Sequence, residues 1–433
     1  MPRLRRLPSA LLLVASSLPS TRVAAQAPGR AATVRVLEDV TLVDGTGGPA
    51  RAHVPIVIRD GVVSDVFTAG SQATPAGAEV VGRPGQWVIP GLIDAHVHLA
   101  TDPSGSDARD KVAARVASEL RGGVTTVRDM AGDARAFNEL ARAMLVGDLP
   151  GPDAFGSAIW AGADFMNDPR VATSTRGTRP GVEPWMRTID AGTDFRVAAL
   201  EARAAGVRGI KLYADVPAAV ARAAVPAAHA AGLRVWAHAT TFPARPSDLV
   251  GAGVDVVSHA PLLAWEGVDS LPNFRARYAA PYAQVSVDAP ALVRLLARMA
   301  SQGTMFEPTL YTFREDGRNP GMAAWARAIT GRAARAGVPI VAGTDNMIAS
   351  HPDSLPHLHD ELALLVDAGL TPAQAIQAAT ATAARAIGIE GRTGTVRPGM
   401  AADLVVLAAD PLADIANTRR IVRVLKHGAP VER

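Results

Sequence analysis

Four histidines, a lysine and an aspartate are the residues of this chain that could do chemistry together. His96 and His98 close the run Val88-Ile-Pro-Gly-Leu-Ile-Asp-Ala-His-Val-His-Leu99. Its apolar body reads as a buried strand that Pro90-Gly91 bends on entry. Residues two apart on a strand project to the same side, so the two imidazoles form one rigid edge of nitrogen donors. That is half of a transition-metal site. His238 and His259 each end a further apolar run, and Asp345 follows another. Either histidine alone is ordinarily a satisfied polar residue. Asp345 alone is compatible with a purely structural role. Taken together, the five suggest a metal centre.

Lys211 stands between Ile210 and Leu212 in an apolar strand and is therefore expected to point inward. A buried, unpaired ammonium is costly, and its pKa falls toward neutralisation. A neutral amine can capture CO₂ as a carbamate, an anionic, bidentate oxygen ligand able to bridge two cations. The alternative is an unmodified lysine paired with Asp345 or Asp129. Tyr213, two residues on, faces the same side as Lys211 and is a candidate hydrogen-bond donor to substrate. Arg128 either clamps a substrate carboxylate or pairs with Asp129 or another nearby acid.

These residues need a scaffold that gathers strand ends. Between about 89 and 390, short apolar strands alternate with amphipathic helices. Strands are expected near 88–98, 123–128, 154–159, 209–213, 234–238, 254–259, 304–307 and 339–344. Helices are expected near 107–121, 134–145, 195–205, 217–231, 247–252, 289–301 and 322–336. Eight strands in strand–helix alternation is the number a (β/α)₈ TIM barrel requires, and such barrels carry their reactive groups at the C-terminal strand ends. Before and after the alternation lie strands with turn signals, over 31–88 and 391–433. Neither set makes a core alone, so the reading is a small β-sandwich built from both ends of the mature chain beside an α/β barrel. Long irregular stretches at 161–195, 261–287 and 346–358 read as binding loops or lids.

Composition narrows the class. With 48% hydrophobic and 20% charged residues over 433, the chain is globular and core-rich. The net charge of +3 and the lack of a basic block with interleaved aromatics speak against a nucleic-acid partner. Arg3, Arg5 and Arg6, the short apolar run from Ala10 to Ala15 and small residues near Ala25 and Ala27 read as a signal peptide over 1–27. The expected location is a periplasm or the exterior, without a stable membrane anchor, since the run is too short for a permanent span. With no cysteine, disulfides are excluded and a metal must be held by N and O donors.

The motifs "PGLIDAHVH", "GIKLY" and "AGTDN", with strand-end His238 and His259, resemble the amidohydrolase superfamily of metal-dependent hydrolases. So do "DELALLVDAGLTPAQAIQAATATAARAIGI" and "GRTGTVRPGMAADLVVL", and the resemblance covers nearly all of the mature chain. With "GVTTVRDM" and a lysine on the fourth strand, the chain is similar to the binuclear branch that includes Xaa-Pro dipeptidases, imidazolonepropionase-like and ochratoxin-type amidases. The resemblance implies two divalent metals, zinc first among zinc, manganese and cobalt. His96, His98 and Asp345 would hold one, His238 and His259 the other, and a carboxylated Lys211 would bridge them. Asp345 would also pass a proton from water to the leaving nitrogen. The expected substrate is a small amide, such as a dipeptide or N-acyl amino acid; a homo-oligomer is compatible. The rival readings are a mononuclear cyclic-amide hydrolase or deaminase and, from another class, a barrel that binds ligand without turnover. Of the other histidines, His229 and His53 read as structural, while His351, His357 and His359 either line the pocket or face water.

Overall fold

The computed structural model describes residues 33–68, 74–100, 109–130, 132–317, 319–347 and 354–432. The expected signal peptide and His351 lie outside them. Eighteen strands are described: β1 (Val34–Leu42), β2 (Arg51–Arg59), β3 (Val62–Val66), β4 (Glu79–Gly82), β5 (Trp87–Pro90), β6 (Leu92–His98), β7 (Val124–Asp129), β8 (Asp153–Ala161), β9 (Val182–Glu183), β10 (Met186–Thr188), β11 (Gly209–Leu212), β12 (Arg234–His238), β13 (Val256–Ser258), β14 (Met305–Glu307), β15 (Asn346–Met347), β16 (Leu404–Leu407), β17 (Ile421–Lys426) and β18 (Ala429–Pro430). The helices that matter below are α1 (Arg109–Arg121), α2 (Ala134–Val146), α3 (Pro169–Ser174), α4 (Phe195–Ala204), α5 (Ala218–Ala230) and, after two more between β12 and β14 and one following β14, a helix at Leu358–Asp367.

Strands from both ends of the chain share one eight-stranded sheet in the order β18-β17-β16-β5-β1-β2-β3, with β4 on β1. The pairing is mostly antiparallel, but β4 and β5 run parallel to β1. Its apolar face, including Leu37, Ile56, Val88, Leu404 and Leu425, forms a core of its own. Neither terminal segment could bury this face by itself, which is why the two must meet.

The second sheet curls in the order β14-β13-β12-β11-β8-β7-β6-β15, with parallel pairing throughout this path. Its strands are buried on both faces, as the continuous apolar runs predict for a sheet covered by helices. The stretch expected as an eighth strand, 339–344, is no regular strand. Its backbone nevertheless bonds to both neighbours: Val341 N–H donates to Phe306 O at 2.8 Å, and Ala95 N–H to Ala342 O at 3.1 Å.

The run that sequence reads as one bent strand is two strands in two sheets. Val88 and Ile89 pair with β16, whereas β6 begins at Leu92 and pairs with β7. Gly91 is the hinge: a Cβ there would stand 2.1 Å from Thr125 Oγ1, so no larger residue fits. The boundary between the two sheets thus falls at Gly91, a few residues after the position expected.

The first long excursion is structured. It contains a 3₁₀ turn at Ala163–Asn167, α3, and the β9–β10 hairpin, which adds to β8 alongside Ile159–Ala161. Asp168 caps α3 by accepting from Arg170 N–H, with Pro169 in the first turn. The second excursion carries 3₁₀ turns at Ala260–Gly267 and Phe274–Ala276. Of the third, residues 348–353 lie outside the described residues.

Candidate metal centre and substrate cavity

The C-terminal ends of the parallel strands surround a cavity of about 260 Å³. His96 and His98 reach it from β6, Lys211 from β11 and His238 from β12; His259 and Asp345 follow β13 and the 340–344 segment. All six expected metal-site residues therefore meet at one place. His259 (φ 76°) and Asp345 (φ 50°) both adopt the left-handed region that β-carbon-bearing residues rarely occupy. Strain of this kind persists only where the surroundings over-determine it, as at functional sites.

Asp345 is the hub. Its Oδ1 lies 3.0 Å from His98 Nε2 and 3.4 Å from His96 Nε2, and its Oδ2 lies 3.8 Å from His259 Nδ1. Donor atoms of His96, His98 and Asp345 lie within 4.8 Å of one another, close enough to share one cation. His238 and His259 follow at a ring separation of 4.8 Å. Among the described residues, buried His238 Nδ1 has no hydrogen-bond partner, an unsatisfied group that a buried imidazole seldom tolerates without a ligand.

Burial lowers the pKa of all three innermost histidines: His96 to about 4, and His238 and His259 well below their ordinary value. Their lone pairs are consequently free at neutral pH. Burial works against ionisation of Asp345, but the surrounding His96, His98 and His259 overcome it and hold the carboxyl well below its usual range. Neutral imidazoles around an ionised carboxylate, with no sulfur, suit a divalent cation of the zinc, manganese or cobalt kind.

Lys211 is buried, and its Nζ lies 3.4 Å from His96 Nε2. Among the described residues it makes no ion pair with Asp345 or Asp129. Burial brings its pKa down to about 8. At pH 7 about a tenth of the molecules would then carry the free amine.

Glu307, which sequence reasoning passed over, holds the floor of the site. Its Oε2 lies 2.7 Å from His96 Nδ1 and accepts from Ser258 Oγ at 2.8 Å; its Oε1 accepts from Arg128 at 2.5 Å. Burial opposes its ionisation, yet Arg128 and His96 bring its pKa down to about 2. A carboxylate behind a metal-ligating histidine fixes the tautomer and the aim of the ring. The available signal was an acid ending the apolar strand Thr304-Met-Phe-Glu307.

This settles Arg128. It is fully buried, bonded to Glu307 and to Ala95 O at 2.6 Å, and it packs over Trp236 beneath the floor. It does not line the cavity, so the expected substrate clamp is corrected to a support. The arginines that do line it are Arg170 and Arg277, both from the long excursions. Tyr213 lines it as expected; its hydroxyl oxygen accepts from Arg170 Nη1 at 3.1 Å, which leaves its own proton to donate. His359 faces neither pocket nor water: it is buried between Gly122 O and Thr418 Oγ1, at 2.9 Å from each. His229 bonds Asp255, and His53 bonds Asp39.

A second group, Asp153, Asp403 and His427, also has donor atoms within 4.8 Å of one another. Lys426 already lies 2.8 Å from Asp403 and 3.3 Å from Asp153, and Arg392 lies 2.9 Å from Asp153. These carboxylates have their countercharges, and the cluster ties the start of β8 to the terminal sheet.

A curled parallel sheet with histidines, a lysine and an aspartate at its strand ends defines the class of metal-dependent hydrolases. A model of the amidohydrolase family matches residues 87–431, and the chain belongs to that family. It is accordingly a hydrolase acting on carbon–nitrogen bonds. An imidazolonepropionase of Ralstonia nicotianae is 27% identical over 87% of this chain and 92% of its own. Among solved structures, a Xaa-Pro dipeptidase with methionine bound in its active site has a TM-score of 0.71 at 21% identity, over 93% of this chain and 100% of that one. A prolidase complexed with N-methylphosphonate-L-proline gives 0.70 at 24%, with the same coverages.

Proposed function

We propose that the protein is an exported hydrolase with two divalent metals, expected to be zinc, that cleaves the amide bond of a dipeptide or N-acyl amino acid. The observation that carries this reading is Lys211: a buried amine with no carboxylate partner among the described residues, set among four histidines and Asp345. In this reading Lys211 would take up CO₂ and lose a proton to become a carbamate, adding oxygen donors to the site. His96, His98 and Asp345 would hold one cation and His238 and His259 the other. The parallel strands and the 340–345 segment close into a (β/α)₈ barrel beside a small sandwich. Export rests on the positive, apolar and small-residue pattern of residues 1–27.

Divalent cations bound here supply Lewis acidity and lower the pKa of water near neutral. The chain's own residues do the rest. Asp345, ionised at working pH, accepts the proton of the attacking water and hands it to the leaving nitrogen as the C–N bond breaks. Tyr213 directs its hydroxyl proton at the substrate oxygen, held in place by Arg170. Glu307 and Arg128 keep His96 aimed from below.

The deciding measurement is metal content per chain, on wild type and Lys211→Ala purified without chelators. Two metals in wild type, falling toward one or none in the variant, support this reading. One metal, unchanged by the substitution, sinks the bridging role. That outcome favours the mononuclear cyclic-amide reading, to which the full-length likeness to an imidazolonepropionase lends weight.

A further inference from the structure

The cavity has an excess of positive charge whose members are not equivalent. Arg170 is already matched: its Nε and Nη2 each donate to the Asp168 carboxylate at 2.8 Å, and its Nη1 donates to Tyr213. Arg277 is not matched. Among the described residues it forms no ion pair, and its polar contacts are neutral: the Phe274 carbonyl, 3.2 Å from Nη1, and the Tyr278 hydroxyl. Asp168 feels Arg277 only through space.

Arg277 is also held rigidly. Its guanidinium lies over the Phe274 ring at 4.3 Å and the Tyr278 ring at 4.8 Å. Stacking fixes the plane of the fork, so little side-chain freedom is lost when it binds. The Phe274 ring in turn stacks on His238, with 5.8 Å between centroids and 10° between planes. Adding these two separations puts the guanidinium at most about 10 Å from the His238 ring. One residue between a scissile carbonyl and a carboxylate spans about 3.5 Å, and a hydrogen bond adds about 3 Å. A carboxylate one amino acid beyond the scissile carbonyl falls within that bound.

We infer that Arg277 anchors a substrate carboxylate, so that the amides cleaved are those whose leaving amine carries a free carboxylate one residue away. This rests on the hydrolase reading above, whose dipeptide and N-acyl amino acid substrates carry that carboxylate, and adds the residue that selects them. Planar, bidentate pairing with a carboxylate is what a stacked guanidinium with free N–H groups provides. Arg170, the other arginine of the lining, is already matched by Asp168.

The test compares N-acetyl-L-phenylalanine and N-acetyl-L-methionine with their N-methylamides on wild type, Arg277→Gln and Arg277→Lys, following acetate release. Metal content and thermal midpoint of each variant are checked first; the glutamine retains a donor for the Phe274 carbonyl. Wild type is expected to favour the acids. Arg277→Gln should lower kcat/KM on the acids by roughly 10- to 100-fold, mainly through KM, and leave the amides nearly unchanged. Arg277→Lys should fall between. Equal losses on acid and amide, or none on the acid, overturn the inference. Calorimetric binding of the same four compounds separates it from the hydrolase reading. Acid-selective binding that disappears in Arg277→Gln, without acetate release, keeps the anchor and removes the proposed substrates. Turnover without acid selectivity does the reverse.

Discussion

Glu307 shows how much of a candidate metal site can lie outside the groups that would hold the metal. Its carboxylate joins His96, Ser258 and Arg128, so removing its charge releases the ring of His96 from its fixed orientation. Glu307→Gln is therefore expected to weaken metal affinity by about 10- to 100-fold with little change in fold. Titration of metal-free protein with Zn²⁺ against a competing chelator reads this directly, and an unchanged affinity would remove Glu307 from the design. Arg128→Ala leaves Glu307 charged, buried and short of its main partner, and should lower stability by about 3 kcal/mol. A chemical denaturation midpoint equal to wild type contradicts that account.

At the scale of elements, close approach between strands sets the aim of the candidate ligands. A Cβ on Gly343 would meet His96 Cβ at 2.7 Å and Glu307 Oε1 at 3.0 Å. Gly343→Ala must displace one of them, so the expected result is a loss of metal content larger than the loss of thermal stability. The helix Leu358–Asp367 supplies a pH dependence away from the site. Burial lowers the pKa of His359 to about 4, against an ordinary value of 6.5. The fold favours the neutral ring, so this contribution is complete above pH 6.5 and disappears as the pH falls toward about 4. Its size is on the order of 3 kcal/mol. Denaturation midpoints of wild type should drop across that window, and His359→Gln should show a flatter profile; parallel profiles would assign the drop to other groups.

For the whole molecule, the two sheets meet at Gly91 and again at the cluster of Asp153, Asp403 and Lys426. Burial resists the charge of Asp153, but His427, Lys426 and Arg392 bring its pKa down to about 2. Lys426→Ala leaves the Asp403 carboxylate buried beside Asp153 without its ammonium, with an expected cost of about 3 kcal/mol. If the terminal sheet and the parallel sheet unfold together, that loss appears in a single calorimetric transition; two transitions in wild type contradict the coupling. Among the described residues no helix is long and apolar enough to cross a membrane.

The sequence by itself determined which histidines, lysine and aspartate gather at the cavity and the elements that carry them. Strand periodicity is local, so Lys211 between two apolar neighbours had to point inward, and His96 and His98 had to share a side. The apolar runs of β7, β8 and β11 to β14 were legible for the same reason, to within a residue or two at their ends. Tertiary structure decided what depends on neighbours distant in sequence. Arg128 could have faced substrate or a buried acid, and only the proximity of Glu307, 179 residues away, assigns it to the floor. The strand expected at 339–344 kept its neighbours, β14 and β6, but not a regular ladder. Arg170 and Arg277 come from excursions without a period to read. Their positions follow from caps, 3₁₀ turns and aromatic stacking that exist only once the strands have brought the loops together.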